Sequence, residues 1–213
     1  SKFNQKADIV FLNQKKYRKN YLCEFKIKNE KKSFLIPKNL CNYKENILSS
    51  IGIISNYFNI KKLNKNLFYG FKIPTSRGSI INYKRRMKKL TIVDESYNSN
   101  PLSFKFALEK FDSTYNNNKK YLLVGNMLEL GKYSKNLHMK IAKYINNSKV
   151  AKTFVYGNLT KHTFNKLKPQ IRGRILKNNT EIMNLINKDL PNNSFLMVKG
   201  SNSTGLNKII KNL

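Results

Sequence analysis

Asp94 and Glu95 stand side by side where a short apolar run, residues 90–93, comes to an end. The chain holds only 11 Asp and Glu residues, so an adjacent carboxylate pair at the end of a strand-like run is a candidate functional site. Another apolar run ends in the sequence KGS at residues 199–201, which presents a cation and backbone N–H groups suited to an anion. Both features also have structural interpretations, because acidic residues are favourable near helix N-termini and loops are commonly charged.

Known motifs for nucleotide binding and triad hydrolysis do not occur in the sequence. A phosphate loop needs Gly-x-x-x-x-Gly-Lys followed by Ser or Thr, but the Gly-Lys pair at 131–132 is followed by Tyr133. His138 and His162 have no Ser or Cys partner at a recognisable spacing, and the two cysteines form no metal-ligand cluster with them. We therefore expect no metal site and no complete nucleotide site in this chain, and we interpret His138 as a packing or surface residue.

From about residue 85, strand-like runs alternate with helical patterns. The strand-like runs fall at 90–93, 121–124, 150–156, 175–176 and 195–198. The helical patterns fall at about 102–113, 134–146, 160–168, 180–188 and 204–212. Strand followed by helix, five times over, predicts an α/β fold with a doubly wound, mostly parallel sheet.

Three loops in this region are rich in residues that bind ligands. They follow the first, second and fifth strand-like runs, at 94–101, 125–131 and 199–203. Ligands of open parallel sheets bind beyond the carboxyl ends of the strands, so we expect the three loops to lie along one edge. Asn100 is also placed to cap the helix that begins at Pro101.

The first part of the chain follows a different pattern. Residues 21–27 and 33–36 predict an antiparallel hairpin, and apolar spacing over residues 44–58 predicts a helix. A loop that contains residues 74–78 closes this part. We place the domain boundary so that residues 1–84 form one part and residues 85–213 the other.

The chain carries 42 Lys and Arg against 11 Asp and Glu, a formal charge of +31. That excess is typical of proteins that bind nucleic acid or acidic membranes. However, the basic residues are 36 Lys and only 6 Arg, spread along the whole chain beside 32 Asn, which also fits compositional drift at solvated positions. No apolar run approaches the ~20 residues of a membrane helix, and no signal-peptide pattern opens the chain.

The three loops carry a family resemblance. Residues 93–101, VDESYNSNP, resemble the IDDSYNANP segment of the Mur ligases, in the form found in the branch that adds D-alanyl-D-alanine. Residues 123–131, LVGNMLELG, with His138 seven residues on, are similar to that family's LGDMxELG…H, and residues 198–203, VKGSNS, to its VKGSRS. Three motifs in the right order are far more specific than any one of them.

The first part of the chain fits the same resemblance. Residues 46–51, NILSSI, are similar to the NALAAI helix that ends the family's central ATPase domain, and residues 74–78, PTSRG, to its PxGRG hinge. Residues 1–84 would then be the C-terminal part of the central ATP-binding domain, and residues 85–213 a Rossmann-like C-terminal ligase domain. The resemblance covers about the second half of a family member, so we expect the substrate domain, the phosphate loop and the metal ligands to lie upstream.

The resemblance implies an ATP-dependent ligase that joins D-alanyl-D-alanine to UDP-N-acetylmuramoyl-tripeptide through an acyl phosphate in peptidoglycan synthesis. It implies that Arg77 approaches the ATP phosphates, that Asn46 lies near the adenine and that Glu95 lies at the ribose. The side chains implied at the dipeptide are Tyr97, Asn98, Asn100, Lys199 and Ser201. ATP and Mg²⁺ would be bound mainly by the upstream part, and the protein would be a cytoplasmic monomer without specific nucleic-acid binding or membrane insertion.

Four positions depart from the family motifs. Glu95 and Asn126 stand where the family has Asp, Asn202 replaces Arg, and Ser76 replaces Gly. Two alternatives to an active ligase therefore remain open: a degenerate ligase domain without activity, and a basic nucleic-acid-binding module.

Overall fold

The computed structural model describes residues 7–41, 43–71, 74–85, 87–115 and 119–213. The chain forms two compact units, Ser1–Ile73 and Pro74–Leu213.

The first unit is a three-stranded antiparallel sheet with one α-helix. Its strands are β1 (Ile9–Tyr17), β2 (Asn20–Ile27) and β3 (Glu30–Pro37), in that spatial order, and α1 spans Lys44–Tyr57. Alternate residues of β2 and β3 are buried against two apolar residues of α1. The apolar face of the sheet and the apolar face of the helix therefore form one core. The predicted hairpin and helix are confirmed, and β1 extends the hairpin by a third strand.

The second unit contains a six-stranded sheet. Its strands are β4 (Ser79–Arg85), β5 (Lys88–Glu95), β6 (Lys120–Gly125), β7 (Lys152–Tyr156), β8 (Arg172–Leu176) and β9 (Ser194–Lys199). The spatial order is β4-β5-β9-β6-β7-β8, in which β4 is antiparallel to β5 and the other five strands are mutually parallel. The strand β9 thus enters between β5 and β6.

Helices cover both faces of this sheet. They are α2 (Pro101–Thr114), α3 (Ser134–Asn146), α4 (Thr160–Phe164), α5 (Asn179–Asn184) and α6 (Leu206–Lys211), and a π-helical turn, Leu185–Asp189, continues α5. Leu122 and Met197 pack with α2 and α3, whereas their neighbours Leu123 and Leu196 pack with α5 and α6. Successive strand residues point to opposite faces, so these contacts place α2 and α3 on one face of the sheet and α5 and α6 on the other. The sheet is therefore doubly wound, as predicted.

The sequence patterns did not identify β4. The strand is exposed at four of its seven positions and covers the edge of the sheet, so its apolar signal is weak. Since β4 pairs with β5 over its whole length, it belongs to the second unit. The compact units accordingly divide between residues 73 and 74, ahead of the boundary expected after residue 84.

Candidate active site

The three motif loops are joined by hydrogen bonds at the carboxyl edge of the parallel strands. The backbone N–H of Ser201 donates to the carbonyl of Asn126 at 2.9 Å, and that of Asn202 donates to the carbonyl of Tyr97 at 3.0 Å. The hydroxyl of Ser201 accepts the N–H of Leu128 at 2.9 Å. The expectation that the loops after β5, β6 and β9 share one edge is confirmed.

Lys199 fastens two of these loops together. It is the last residue of β9 and pairs in register with Glu95, the last residue of β5. Its side chain is 2% exposed, and its ammonium donates to the carbonyl of Asn98 at 2.8 Å and to that of Glu95 at 3.4 Å. Burial lowers the pKa of Lys199, and the neighbouring Glu95 carboxylate opposes that shift. The ammonium therefore holds the loop after β5 in place.

The adjacent carboxylates have different environments. Asp94 is buried, and its carboxylate accepts hydrogen bonds from the N–H of Ser96, at 3.0 Å, and from the hydroxyl of the same residue. It therefore shapes the loop. Glu95 is partly buried, and burial raises its pKa, while the nearby cations Lys199, Lys110 and Arg77 act in the opposite direction. Glu95 is therefore the less buried carboxylate of the pair.

Arg77 lies beside the loop after β5. Its guanidinium carbon is 4.2 Å from the ring centroid of Tyr97, whose side chain is 42% exposed. The preceding Ser76 has φ = +64°, in the left-handed region that glycine adopts at least cost, which accounts for the Gly of the family at this position. Arg77, Tyr97 and Glu95 are therefore gathered at one end of the edge.

The side chains after Tyr97 have local roles. Asn100 caps α2 as predicted, since its side chain accepts the N–H of Ser103 at 2.8 Å and the Ser103 hydroxyl accepts the N–H of Asn100 at 3.1 Å. Asn98 is exposed, and its amide oxygen accepts the N–H of Ser99 at 2.7 Å. Asn98 thus combines a carbonyl bound to Lys199 with a side chain at the surface.

Asn126, which stands where the family has Asp, bonds the loop that follows β7. Its amide oxygen accepts the N–H groups of Leu159 at 3.1 Å and Thr160 at 3.3 Å, at the start of α4. A Cβ at Gly157, which has φ = +108°, would lie 2.5 Å from this side chain. The neutral amide therefore supplies an acceptor that links the loop after β6 to the start of α4.

A cavity of about 450 Å³ opens beside Asn126, at the ends of β6, β7 and β8. Lys161 and Lys177 line it together with the polar side chains of Asn158 and Thr204. Lys161 and Lys177 were not predicted, because only the loops after β5, β6 and β9 were singled out from the sequence. Lys161 and Lys177 follow β7 and β8, so the same rule about strand ends would have found them.

His138 is a packing residue, as predicted. It is fully buried in α3, where its Nε2 accepts the N–H of Met127 at 3.0 Å and its Nδ1 donates to the carbonyl of Ser134 at 2.7 Å. Burial lowers its pKa, because the charged imidazolium loses its hydration there. Protonation would also turn the Nε2 acceptor into a donor facing the N–H of Met127. The neutral imidazole therefore ties the loop after β6 to α3.

His138 makes the stability of the chain depend on pH. As the pH falls below about 6.5, the unfolded chain takes up a proton at this residue that the native state resists, so the free energy of unfolding should decrease. Urea unfolding at pH values between 8 and about 5.5 measures the effect. His138→Gln should show a flatter profile over this range, and a variant as pH-dependent as the natural chain would contradict the assignment.

Neither a metal centre nor a membrane span is found in the part of the chain that the structure describes. There, no group of three or more His, Cys, Asp or Glu side chains is placed to hold a metal ion. No helix among the described residues is both long and apolar enough to cross a bilayer. Asn46, the residue expected near the adenine, lies exposed on α1 of the first unit.

A family model described as "Mur ligase, glutamate ligase domain" matches residues 81–202, which is more than half of the chain. The chain belongs to the Mur ligase family. The matched range includes the loops after β5 and β6 and residues 199–202 of the loop after β9, whereas Arg77 lies outside it.

Curated Mur ligases share modest identity with the chain. A UDP-N-acetylmuramoyl-tripeptide–D-alanyl-D-alanine ligase from Rickettsia prowazekii is 28% identical over 175 residues, which span 82% of this chain and 37% of the relative. The ligase of the same name from Bacillus subtilis is 26% identical over 196 residues, 89% of this chain and 41% of the relative. The chain thus spans well under half the length of these relatives.

Solved structures of Mur ligases share the fold. MurF from Acinetobacter baumannii superposes with a TM-score of 0.68 at 16% identity, covering 99% of this chain and 46% of that one. A MurF ligase from Thermotoga maritima in complex with ADP gives a TM-score of 0.65 at 16% identity, covering 97% and 46%. These likenesses establish the Mur ligase fold for the chain.

Proposed function

We propose that the chain is the C-terminal half of a ligase that joins D-alanyl-D-alanine to UDP-N-acetylmuramoyl-tripeptide at the expense of ATP. The observation that carries the proposal is the junction of the three motif loops at one edge of the sheet, fastened by Lys199. The names of the curated relatives support the choice of substrates. The first unit is then the end of the central ATP-binding domain, and the second is the C-terminal ligase domain.

Activation of a carboxylate by ATP fits the charges of this edge. The tripeptide carboxylate attacks the γ-phosphorus to give an acyl phosphate and ADP; the dipeptide amine then attacks the acyl carbon, loses a proton and expels phosphate. Arg77 stabilises negative charge on the transferring phosphoryl group, because a guanidinium is a fixed cation with several donors. We assign Glu95 to the ATP ribose and Asn46 to the adenine. Since the chain spans well under half the length of its curated relatives, we assign Mg²⁺ mainly to the part of the whole protein outside this chain.

The dipeptide is proposed to bind along the same edge. Asn98 presents an exposed side chain there, while Lys199, Asn100 and Ser201 maintain the loop conformations through their hydrogen bonds. The cavity beside Asn126 adds two cations, Lys161 and Lys177, that suit the terminal carboxylate of the dipeptide. The reaction is placed in the cytoplasm, where ATP is available, and the enzyme is proposed to act as a monomer.

Product formation by the whole protein that contains this chain tests the proposal. Purified protein is incubated with ATP, the UDP-linked tripeptide and D-alanyl-D-alanine, and the pentapeptide product is quantified by mass spectrometry. We expect product only when all three substrates are present, and none when L-alanyl-L-alanine replaces the D-isomer. A folded protein that forms no product under these conditions would favour the degenerate-ligase alternative.

The isolated chain should not bind ATP tightly. Its sequence contains no phosphate loop, so it lacks the backbone donors and the lysine that hold nucleotide phosphates. Isothermal titration with Mg-ATP should therefore show a Kd weaker than about 100 μM, corresponding to less than ~6 kcal/mol of binding free energy. A micromolar Kd would mean that the chain holds a complete nucleotide site of another kind.

A further inference from the structure

We propose that Tyr97 is a positioning residue for Arg77: its ring forms a platform that holds the guanidinium in one orientation toward the nucleotide. This inference rests on the proposed function, because it assigns Tyr97 a task in the ligase reaction. This role differs from a contact between Tyr97 and the dipeptide. It needs only the aromatic face that stacks on the guanidinium, and it does not need the phenol hydroxyl.

Hydrogen bonds hold the backbone of Arg77 in a defined position. It lies between Ser76 and Gly78, which have φ values of +64° and +83°. The carbonyl of Ser76 accepts the N–H of Tyr97 at 3.0 Å, and the N–H of Gly78 donates to the carbonyl of Asp94 at 2.8 Å. Two hydrogen bonds, one on each side of Arg77, therefore bind this turn to the loop after β5.

Hydrogen bonds within and beyond the loop after β5 also hold the backbone of Tyr97, from which the ring extends. The carbonyl of Tyr97 accepts the N–H of Asn202 from the loop after β9, and the next carbonyl along, that of Asn98, accepts the ammonium of Lys199. Asp94 holds the start of the loop through Ser96. Tyr97 therefore extends from a backbone that is anchored on both sides of it.

The ring and the guanidinium are in direct contact. The distance from the Arg77 guanidinium carbon to the Tyr97 centroid is 4.2 Å, whereas Arg172 and Arg174 lie 5.9 and 6.0 Å from the rings of Phe164 and Phe154. An arginine side chain has many rotamers, and each rotamer lost before the reaction no longer has to be lost in the transition state. Stacking on a ring is a means of limiting those rotamers, because the planar guanidinium lies flat against the ring face.

Tyrosine variants separate this role from the alternatives. In the whole enzyme, Tyr97→Leu should lower kcat about 10-fold, and the conservative variant Tyr97→Phe, which keeps the ring, should retain most of the kcat that Tyr97→Leu loses. The KM for D-alanyl-D-alanine should stay within about 2-fold in both variants, because the ring acts through Arg77. A KM increase in Tyr97→Phe would instead show that the hydroxyl contacts the dipeptide, and would overturn the inference.

A double-mutant cycle with Arg77→Ala gives the second readout. If the ring acts through the guanidinium, adding Tyr97→Leu to Arg77→Ala should lower kcat by less than about 2-fold further. A full 10-fold loss in that background would overturn the inference, even though the enzyme would still be the proposed ligase. Absence of ligase activity in the natural protein would instead contradict the proposed function itself.

NMR of this chain gives a readout that is independent of activity. The Arg77 Nε–H resonance should carry a ring-current shift in the natural chain and in Tyr97→Phe, and lose it in Tyr97→Leu. The Arg172 and Arg174 resonances serve as internal controls, since their rings are unchanged. An Arg77 resonance that is unaffected by Tyr97→Leu would overturn the stacking on which the inference depends.

Discussion

Replacement of Arg77 by alanine should lower kcat of the whole enzyme by about 10²- to 10³-fold, the range observed when a preorganised electrostatic donor is removed from a transition state. The guanidinium is held at the end of the edge where Glu95 also lies, and it is the cation that we assign to the transferring phosphoryl group. Arg77→Lys keeps the charge but loses the planar fork, so it should recover only part of the rate. Steady-state assays at saturating substrates provide the measurement.

A matched control for Arg77 is Arg174→Ala. Arg174 pairs with Asp189 at the surface of the same unit, on the strand β8. Its removal deletes an equal charge from an exposed ion pair and should leave kcat within about 2-fold of the natural value. If both variants lost activity equally, the loss would reflect net charge, and Arg77 would have no special role in the reaction.

Replacement of Lys199 by methionine should cost about 1–3 kcal/mol of unfolding free energy, because it leaves two carbonyl acceptors without their buried donor. It should also lower kcat/KM for the dipeptide by more than 10-fold, because the loop after β5 loses its fastening to β9 (a loss of about 1.4 kcal/mol or more in transition-state binding). Urea unfolding and steady-state kinetics below the unfolding transition measure the two effects separately.

Lys120 is a matched control for Lys199. It is equally buried, but it lies at the start of β6, at the other end of the sheet, where its ammonium bonds Asp112 at 2.7 Å. Lys120→Met should therefore destabilise the fold and leave kcat/KM of the folded enzyme within about 2-fold of the natural value. If Lys120→Met lowered kcat/KM as much as Lys199→Met, loss of stability alone would explain both results.

Local sequence patterns predicted those features that depend on neighbouring residues. The Asn100 cap needs only the Asn-Pro pair and a helix after it, and the strand–helix alternation needs only the period of the apolar residues. The common edge of the three loops followed from parallel strands alone. These features were correct because each follows from one segment or from one general rule of α/β sheets.

Features that depend on residues distant in sequence were not predictable in the same way. A lysine in a KGS sequence is expected at the surface, but β9 inserts between β5 and β6, and this placement buries Lys199 beneath the loop after β5. Likewise, the hydrogen bonds that Asn126 accepts at the start of α4 join segments more than 30 residues apart. The strand order, which the sequence does not display, determines both arrangements.

Transfer of ¹⁸O from the tripeptide carboxylate to phosphate tests most directly that this family member is an ATP-dependent ligase. The terminal carboxylate of the UDP-linked tripeptide is labelled with ¹⁸O at both oxygens, and the phosphate released by the whole enzyme in the presence of D-alanyl-D-alanine is analysed by mass spectrometry. An acyl phosphate requires that one carboxylate oxygen leave with the phosphate, so we predict one ¹⁸O in each phosphate released. Unlabelled phosphate, or phosphate released without formation of the pentapeptide, would contradict the account.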